Sequence, residues 1–173
     1  MKIKKYEEIN STHKYLKENY KKYENKTVII AERQTAGIGT KGSSWYTGTN
    51  KNIAMSILYK PSCKISQLEG LTIEIAKILQ KDIEELYSIK LEIKEPNDLM
   101  LNHKKISGIL TEINTLGEKI NYLIISIGFN VNETDFTSEI AEIATSLKKE
   151  YEREFDKEKI IKKFIESLEN IVN

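Results

Sequence analysis

Residues 91–113 read LEIKEPNDLMLNHKKISGILTEI, and apolar residues alternate with polar ones on both sides of Asn102-His103. Alternation of this kind indicates strands, and asparagine tolerates the positive φ that a tight turn requires. The stretch therefore predicts a β-hairpin with strands at 99–101 and 106–112.

Lys94 lies near the start of this stretch, two residues before Pro96. Proline forces the residue before it into an extended conformation, so the lysine ends a predicted strand just before a rigid turn. A cation in such a position is poorly suited to a core and well suited to binding an anion. A solvated lysine on an exposed strand face is the alternative, because Leu91 and Ile93 lie on the opposite face.

Further strands and helices are predicted on both sides of the hairpin, from alternating or β-branched runs and from apolar residues at helical spacing. The predicted strands lie at 27–32, 52–59, 89–94 and 119–127, and the predicted helices lie at 12–20, at 67–81 and after Asp156, where Ile161, Phe164, Ile165 and Leu168 form an apolar face. We expect the second helix to begin with a capping box of Ser66 and Glu69. This order predicts one α+β domain over residues 1–173, with helices packed on a mixed, mainly antiparallel central sheet.

The composition is that of an ordinary globular protein, with 39% hydrophobic and 31% charged residues among 173 and a net charge of +1. A charge so close to zero gives no sign of a basic surface for nucleic acid. The lone cysteine, Cys63, excludes an internal disulfide and favours a reducing compartment. No apolar run approaches the roughly 18 residues of a membrane span, and the N-terminus lacks the apolar region of a signal peptide. We therefore expect a cytoplasmic protein with neither DNA nor membrane as a partner.

A long polar loop at 35–50 contains Gly37, Gly39 and Gly42 in a Gly-x-Gly-x-x-Gly pattern. A dinucleotide-binding fold would need a helix to begin at once, and a P-loop would need a closing Gly-Lys-Ser/Thr; neither follows. The glycines instead let backbone N–H groups approach an anion closely. A mobile surface loop is the alternative, but Trp45 favours a binding role because a tryptophan in a polar loop usually covers something.

This loop and the opening stretch resemble two motifs of the biotin protein ligases. The Lys-x-Pro-Asn-Asp element at 94–98, followed by Lys-Lys-x-x-Gly-Ile-Leu, is similar to the family's Lys-Trp-Pro-Asn-Asp segment. The residues that match the family's Gly-Arg-Gly-Arg-x-Gly-Arg loop and its flanks are Gln34, Ala36, Gly37, Gly39, Gly42 and Trp45. The arginines are replaced by Ile38, Thr40 and Ser43, which leaves Lys41 as the only cation of the loop. Lysine supplies charge without the bidentate fork of arginine, so phosphate contacts here are expected to be weakened or rearranged.

Shorter elements follow the same order as in that family. Ser11 and Thr12 resemble the Ser-Thr-Asn/Gln element that binds the ureido ring of biotin, and His13 departs from it. Residues 128–132, Gly-Phe-Asn-Val-Asn, are similar to the family's Gly-Ile-Asn-Val-Asn, and residues 144–147 resemble a further element. A helix cap and an ordinary strand-ending turn are the alternatives for single motifs. Their joint order over roughly residues 6–170 favours the resemblance.

The resemblance implies the biotin/lipoate ligase fold, which is like that of class II aminoacyl-tRNA synthetases. It implies that biotin and ATP form biotinyl-AMP, which a lysine of biotin carboxyl carrier protein then attacks. Lys94 is implied as the catalytic residue, between the biotin carboxylate and the α-phosphate. Biotin contacts are implied at Ser11, Thr12, His13, Gln34, Gly37, Ile38, Gly39, Thr40, Lys94 and Gly108, and nucleotide contacts at Lys41, Trp45, Asn97, Lys105 and Asn130. Two histidines and one cysteine predict no metal site held by the protein, so Mg²⁺ would arrive with ATP.

Two other functions stay open. A lipoate or octanoate ligase or transferase of the same fold would need an apolar tunnel, and Gln34 with Ser11 and Thr12 favours biotin instead. A non-catalytic biotin-binding protein would keep the fold after losing the loop arginines. Neither a helix-turn-helix domain nor the family's small C-terminal β-barrel is evident in the sequence, so we expect a ligase without repressor function. The resemblance also allows a homodimer.

Overall fold

The computed structural model describes residues 1–45, 47–48, 50–169 and 171, with Lys41 described by its backbone alone. The regular elements follow one another as β1 (Lys2–Ile9), α1 (Thr12–Asn19), β2 (Thr27–Gln34), β3 (Ile53–Tyr59), α2 (Leu71–Tyr87), β4 (Glu92–Lys94), β5 (Asp98–Leu101), β6 (Lys104–Leu116), β7 (Lys119–Phe129), α3 (Leu147–Tyr151) and α4 (Lys157–Leu168). No helix within the described ranges is both long and apolar enough to cross a membrane.

Within the part of the chain that is described, seven strands form one sheet in the order β1-β2-β3-β7-β6-β5-β4. Strand β1 runs parallel to β2, and the other neighbouring strands are antiparallel. The predicted α+β class and mixed, mainly antiparallel sheet are therefore confirmed. The predicted hairpin is also confirmed, since Asn102 and His103 join β5 to β6 with φ values of 49° and 64°. Positive φ at both central residues is what a type I′ turn requires.

Both faces of the sheet are covered, because side chains of a strand point to its two faces alternately. On one face, residues such as Ile57 and Ile125 belong to the main core, which also includes side chains of α2 and α4. On the other face, Leu16 of α1 packs in a smaller cluster that includes Ile124. Further along this second face, β7 carries Ser126 and Gly128 in place of bulky apolar residues. Their small size leaves room for a cavity beside the N-terminus of α1.

Strand β1 was not predicted from the sequence. Its residues read KIKKYEEI, and most of their side chains are exposed or half-buried. The strand lies at the edge of the sheet and pairs only with β2, so it lacks the apolar alternation by which a half-buried strand is recognised. The short helix α3 was also not predicted.

The predicted bounds of α2 and its capping box are wrong. Residues 65–68 form a separate 3₁₀ turn, in which the backbone N–H of Lys64 donates to Oε1 of Gln67 at 3.0 Å. Gly70 then adopts φ 75°, and α2 begins only at the next residue. A left-handed residue interrupts helical geometry, which is why the helix cannot run through from 67. By contrast, the predicted cap of the last helix is confirmed, because Asp156 accepts from the N–H of Lys159 at 3.1 Å.

Candidate active site

A cavity lies on the α1 face of the sheet, between the N-terminus of α1, the loop that follows β2, the turn before β5, and strands β6 and β7. It contains about 500 Å³ of empty space, part of it open to solvent. The predicted site residues that line it are Ser11, Thr12, His13, Gln34, Ile38, Gly39, Thr40, Trp45, Asn97, Lys105 and Gly108. The sequence motifs therefore converge on one place, although they lie as far as 97 positions apart in the chain.

One wall of the cavity is formed by the first turn of α1 and the end of β2. Gln34 accepts through Oε1 from the backbone N–H of Thr12 at 2.8 Å and from its hydroxyl at 3.1 Å. The amide N–H₂ of Gln34 donates to Thr47 Oγ1 at 3.1 Å. Because a backbone N–H can only donate, these bonds fix which way the Gln34 amide faces. Ser11 caps α1 by accepting from the N–H of Lys14 at 3.4 Å.

A line of hydrogen-bonded side chains runs from this wall to Glu112 of β6. We call it the hydroxyl chain, and its members in order are Gln34, Thr12, Ser56, Ser126, His13 and Glu112. Thr12 Oγ1 and Ser56 Oγ are 2.7 Å apart, as are Ser56 Oγ and Ser126 Oγ. His13 then joins Ser126 Oγ through Nδ1 at 2.9 Å and Glu112 through Nε2 at 3.1 Å. Thr12, Ser56 and His13 are each at most 3% exposed, so the chain lies almost wholly out of water.

The carboxylate of Glu112 also receives two further donors. Lys17 Nζ lies 3.0 Å away, and the Tyr122 hydroxyl donates at 2.9 Å. Burial acts to raise the pKa of Glu112, but the hydrogen bonds from His13, Lys17 and Tyr122 outweigh burial and lower that pKa. Burial lowers the pKa of His13, against the hydrogen bond and charge of Glu112, which act to raise it. At neutral pH the pair is therefore an ionised carboxylate beside a neutral imidazole.

The floor of the cavity is made of two glycines that face the indole ring of Trp45. Gly108 of β6 and Gly128 of β7 are paired in register. A Cβ atom at Gly128 would lie 2.1 Å from Cε2 of Trp45, and one at Gly108 would lie 3.0 Å from Cζ3. Both positions need glycine because a side chain would occupy the space of the ring. The indole Nε1 is buried and has no hydrogen-bond partner among the described residues.

The opposite end of the cavity carries a lysine ammonium group. Lys105 Nζ lies 2.7 Å from Asp98 Oδ1 and 5.5 Å from the centre of the Trp45 ring. Asn97 lies next to this pair and donates from Nδ2 to the same Asp98 oxygen at 3.1 Å. The backbone of Lys105 is held by the segment before α3, since its N–H donates to the carbonyl of Ile143 at 2.8 Å. Within the described ranges no group of three or more His, Cys, Asp or Glu side chains could hold a metal ion.

Among the described residues, three of the predicted site residues are not brought into this lining. Lys94 is exposed on β4; its register with Asp98 places it on the cavity face of the sheet, but one strand further out. Gly37 instead accepts from the N–H of Trp45 at 2.9 Å through its carbonyl. Asn130 is buried and donates from Nδ2 to the carbonyl of Thr145 at 3.0 Å, which ties the segment before α3 to the end of β7. The side chain of Lys41 lies outside what the structure describes.

Ser56, Glu112 and Asp98 were not singled out as site residues by sequence reasoning. Ser56 and Glu112 belong to alternating strands, where a polar residue normally faces solvent. The signal in the sequence that could have found Ser56 is its apolar neighbours on both sides in β3, which indicate a buried strand. A serine in a buried strand needs a hydrogen-bond partner. Asp98 lies within the Lys-x-Pro-Asn-Asp element, but only the pairing of β5 with β6 shows that it faces Lys105.

Residues 6–130 match the model of the biotin/lipoate A/B protein ligase family. The chain belongs to the biotin/lipoate A/B protein ligase family. The bifunctional ligase/repressor BirA of Bacillus subtilis is 35% identical over 137 residues, which cover 78% of this chain and 42% of that protein. A biotin–[acetyl-CoA-carboxylase] ligase of Paracoccus denitrificans is 29% identical over 105 residues, which cover 60% of this chain and 43% of that protein.

The solved biotin protein ligase of Aquifex aeolicus, in complex with biotin and ATP, is similar in fold. It superposes with a TM-score of 0.85 at 28% identity, over 98% of this chain and 69% of that one. The chain thus spans less than half the length of the two curated relatives and about two thirds of this structural one. The biotin/lipoate ligase fold expected from the resemblance is therefore confirmed.

Proposed function

We propose that residues 1–173 act as a single ligase-type domain that attaches biotin to a lysine of a carrier protein, with biotinyl-AMP as the intermediate. The observation that carries this proposal is the convergence of Thr12, Gln34 and Lys105 on one cavity. Thr12 and Gln34 offer the hydroxyl and amide groups that a ureido ring needs, and Lys105 offers a cation for a carboxylate and a phosphate. The names of the relatives and the biotin and ATP bound to the Aquifex ligase support it.

In the first step, the ureido ring would lie against Thr12 and Gln34, with the valeryl chain directed over the glycine floor toward Lys105. A carboxylate oxygen of biotin attacks the α-phosphorus of ATP, and the bond from that phosphorus to the bridging oxygen breaks. Pyrophosphate leaves with the bonding electron pair, and biotinyl-AMP forms. Both reactants are anionic, so a fixed ammonium group lowers their repulsion and stabilises the charge that develops at the phosphate.

We assign this role to Lys105 rather than Lys94. Lys105 lines the cavity and is oriented by Asp98, whereas Lys94 is exposed one strand further out. The resemblance implied Lys94 for this role and Lys105 for a nucleotide contact, so our assignment departs from it. Lys94 still points to the same face of the sheet, and its outer position would suit the pyrophosphate end of ATP.

In the second step, the neutral amine of the carrier lysine attacks the carbonyl carbon of the mixed anhydride. The bond to AMP breaks, AMP leaves, and the nitrogen loses a proton to give the amide. A mixed anhydride is hydrolysed by water, so the loop that carries Ile38, Gly39, Thr40 and Trp45 would protect the intermediate by covering it. The name of the Paracoccus relative suggests the carrier domain of an acetyl-CoA carboxylase as acceptor. We place this reaction in the cytoplasm, the compartment expected from the sequence.

Magnesium would enter on the phosphates of ATP. Mg²⁺ is commonly held by one or two carboxylates together with substrate phosphates, rather than by a cage of protein groups. Asp98, beside the cation of the cavity, is the carboxylate that fits such a role. When bound, the ion would supply charge neutralisation at the departing pyrophosphate.

The decisive test is biotin-dependent exchange of labelled pyrophosphate into ATP by the purified protein, followed by transfer of biotin to an acetyl-CoA carboxylase carrier domain. We expect both activities with biotin and neither with lipoate. Exchange with lipoate in place of biotin would support the lipoate ligase alternative. Biotin binding by calorimetry without any exchange would overturn the enzymatic proposal and leave a binding protein.

A further inference from the structure

The hydroxyl chain lacks one of the hydrogen atoms that its links require. It has five links, between six side chains, and both ends are acceptors: the Glu112 carboxylate and the Gln34 carbonyl oxygen. Three hydroxyl groups and one neutral imidazole supply four hydrogens, one fewer than the links require. The Gln34 amide cannot turn to supply the fifth, because Thr12 N–H donates to its oxygen at 2.8 Å.

The link that lacks a hydrogen is found by assigning donors and acceptors from the Glu112 end of the chain. An ionised carboxylate only accepts, so neutral His13 donates to it from Nε2 and accepts at Nδ1. Nδ1 is 2.9 Å from Ser126 Oγ, and Ser126 therefore gives its hydrogen to His13. At the other end, Thr12 gives its hydrogen to Gln34. The single hydrogen of Ser56 is then shared between two acceptors, Ser126 Oγ and Thr12 Oγ1, each 2.7 Å away.

We propose that His13 is a positioning residue, which with Glu112 sets the direction in which the hydroxyl chain donates. In that direction Thr12, at the cavity end of the chain, accepts a hydrogen bond from a ligand N–H group. Thr12 and Ser126 both line the cavity, whereas Ser56 does not. A ligand N–H that donates to Thr12 Oγ1 supplies the missing hydrogen and leaves Ser56 free to donate to Ser126. The inference rests on the proposed function, because the ureido ring of biotin carries two such N–H groups.

Protonation of His13 reverses the direction in which Ser126 and Ser56 donate their hydrogen bonds. An imidazolium donates from both nitrogens, so Ser126 donates to Ser56, Ser56 donates to Thr12, and all five links are filled without a ligand. The ligand then no longer supplies the missing hydrogen, and its binding is weaker. The charged groups that face His13 are Glu112 from β6 and Lys17 from its own helix, with the phenol of Tyr122 from β7 bonded to the same carboxylate.

The test is isothermal titration of biotinamide, which keeps the ureido ring but has no carboxylate to titrate, at pH 8.0 and pH 5.0. We expect affinity to fall at the lower pH by up to about fivefold, the limit set by one neutral hydrogen bond when His13 is fully protonated. We also expect proton release on binding at pH 5.0, seen as a dependence of the heat on the ionisation enthalpy of the buffer. His13→Asn should abolish both effects, whereas the exposed turn variant His103→Asn should keep them.

Glu112→Gln gives a second test that does not alter the histidine. Its side-chain N–H₂ can donate to Nε2, so neutral His13 donates from Nδ1 and the chain is filled at every pH. We expect this variant to bind biotinamide about fivefold more weakly than wild type at pH 8.0, the loss expected for one hydrogen bond. Its affinity should not depend on pH.

The outcomes separate the two proposals. Wild-type binding that does not change with pH, pH dependence that survives in His13→Asn, or wild-type affinity in Glu112→Gln would each overturn the role of His13 while leaving biotin binding intact. Absence of biotin binding at every pH would overturn the proposed function and the inference with it.

Discussion

The two ends of the cavity differ in how their polar groups are held. At the α1 end, Thr12 and Ser56 are at most 3% exposed and belong to the buried hydroxyl chain. At the β5–β6 end, Lys105 keeps 34% of its side chain exposed and is held mainly by one carboxylate, Asp98. A buried network fixes donors and acceptors in place and suits recognition of a neutral polar ring. A partly exposed cation remains able to leave its carboxylate for a substrate anion.

The largest effect is expected from removing the cation. Lys105→Ala should slow biotin-dependent ATP–pyrophosphate exchange by a factor corresponding to about 3 kcal/mol, the typical loss for one preorganised charge-stabilising donor. Lys94→Ala should lower the rate less, since Lys94 lies outside the cavity lining. The matched control is Lys104→Ala, the neighbouring lysine of the same strand, which also lies outside the lining. Equal losses in the Lys94 and Lys105 variants would contradict the assignment.

The floor between the two ends is expected to be the next most sensitive part. Gly128→Ala places a Cβ within 2.1 Å of the Trp45 ring, which must then move. Forcing an extra methyl group into such a contact costs about 1–3 kcal/mol. Because Trp45 is the only tryptophan of the chain, its fluorescence emission should shift to longer wavelength in this variant.

Gly108→Ala is the graded control for the floor, since its Cβ would lie at 3.0 Å from the same ring. We expect a smaller spectral shift and a smaller loss of biotin affinity than in Gly128→Ala. An unchanged emission spectrum in both variants would show that the indole does not lie on the glycines.

At the α1 end, removing one hydroxyl should affect stability. Thr12→Val removes the hydroxyl that bonds Gln34 and Ser56, while Gln34 keeps the backbone N–H of residue 12 and Ser56 keeps Ser126. The expected cost is therefore that of one lost hydrogen bond, about 0.5–1.5 kcal/mol. Urea unfolding should show this loss in the free energy of unfolding. Thr72→Val removes a single hydroxyl bond, 2.7 Å to Thr111, that is only part-buried, and should cost less. A larger loss of unfolding free energy in Thr72→Val than in Thr12→Val would mean that the hydroxyl chain contributes little to stability.

The smallest effect concerns the pH dependence of unfolding. Because burial lowers the pKa of His13 in the folded state, the unfolded chain binds more protons just below pH 6.5, and stability falls as pH decreases there. Asp82 acts in the opposite direction, since burial raises its pKa to about 6. The informative quantity is therefore the difference in the free energy of unfolding between wild type and His13→Asn. We expect urea unfolding to show wild type losing more stability than the variant between pH 7 and pH 5, and parallel curves would contradict it.

Much of the fold could be predicted from the sequence, because its signals are local. The β5–β6 hairpin needs only alternation and two residues that accept positive φ, and α4 needs only an apolar face and Asp156 as its cap. The edge strand β1 could not be predicted in this way, since its charged residues form a strand only because β2 offers a free edge. The start of α2 depended on Gly70, whose left-handed conformation is set by the turn before it.

For the candidate site, sequence motifs named most of the cavity lining, and the resemblance gave the catalytic role to Lys94 rather than to Lys105. Lys94 and Lys105 both lie in matching elements, 11 positions apart. The choice depends on the pairing of β5 with β6, which sets Asp98 opposite Gly108 and brings Lys105 to the same carboxylate. Strand register is a property of the folded sheet, and no single segment contains it.

The sequence by itself determined the class of fold, the hairpin, the glycine loop and the family, because each is carried by local periodicity or by motifs in order along the chain. The tertiary structure alone decided that Glu112, His13, Ser126 and Ser56 form one hydrogen-bonded line ending at Thr12. These residues come from one helix and three strands, and their donor and acceptor roles depend on distances that only the assembled sheet defines. The opening stretch thus predicted where the site lies, and the fold is the reason why we propose Lys105 rather than Lys94 for its chemistry.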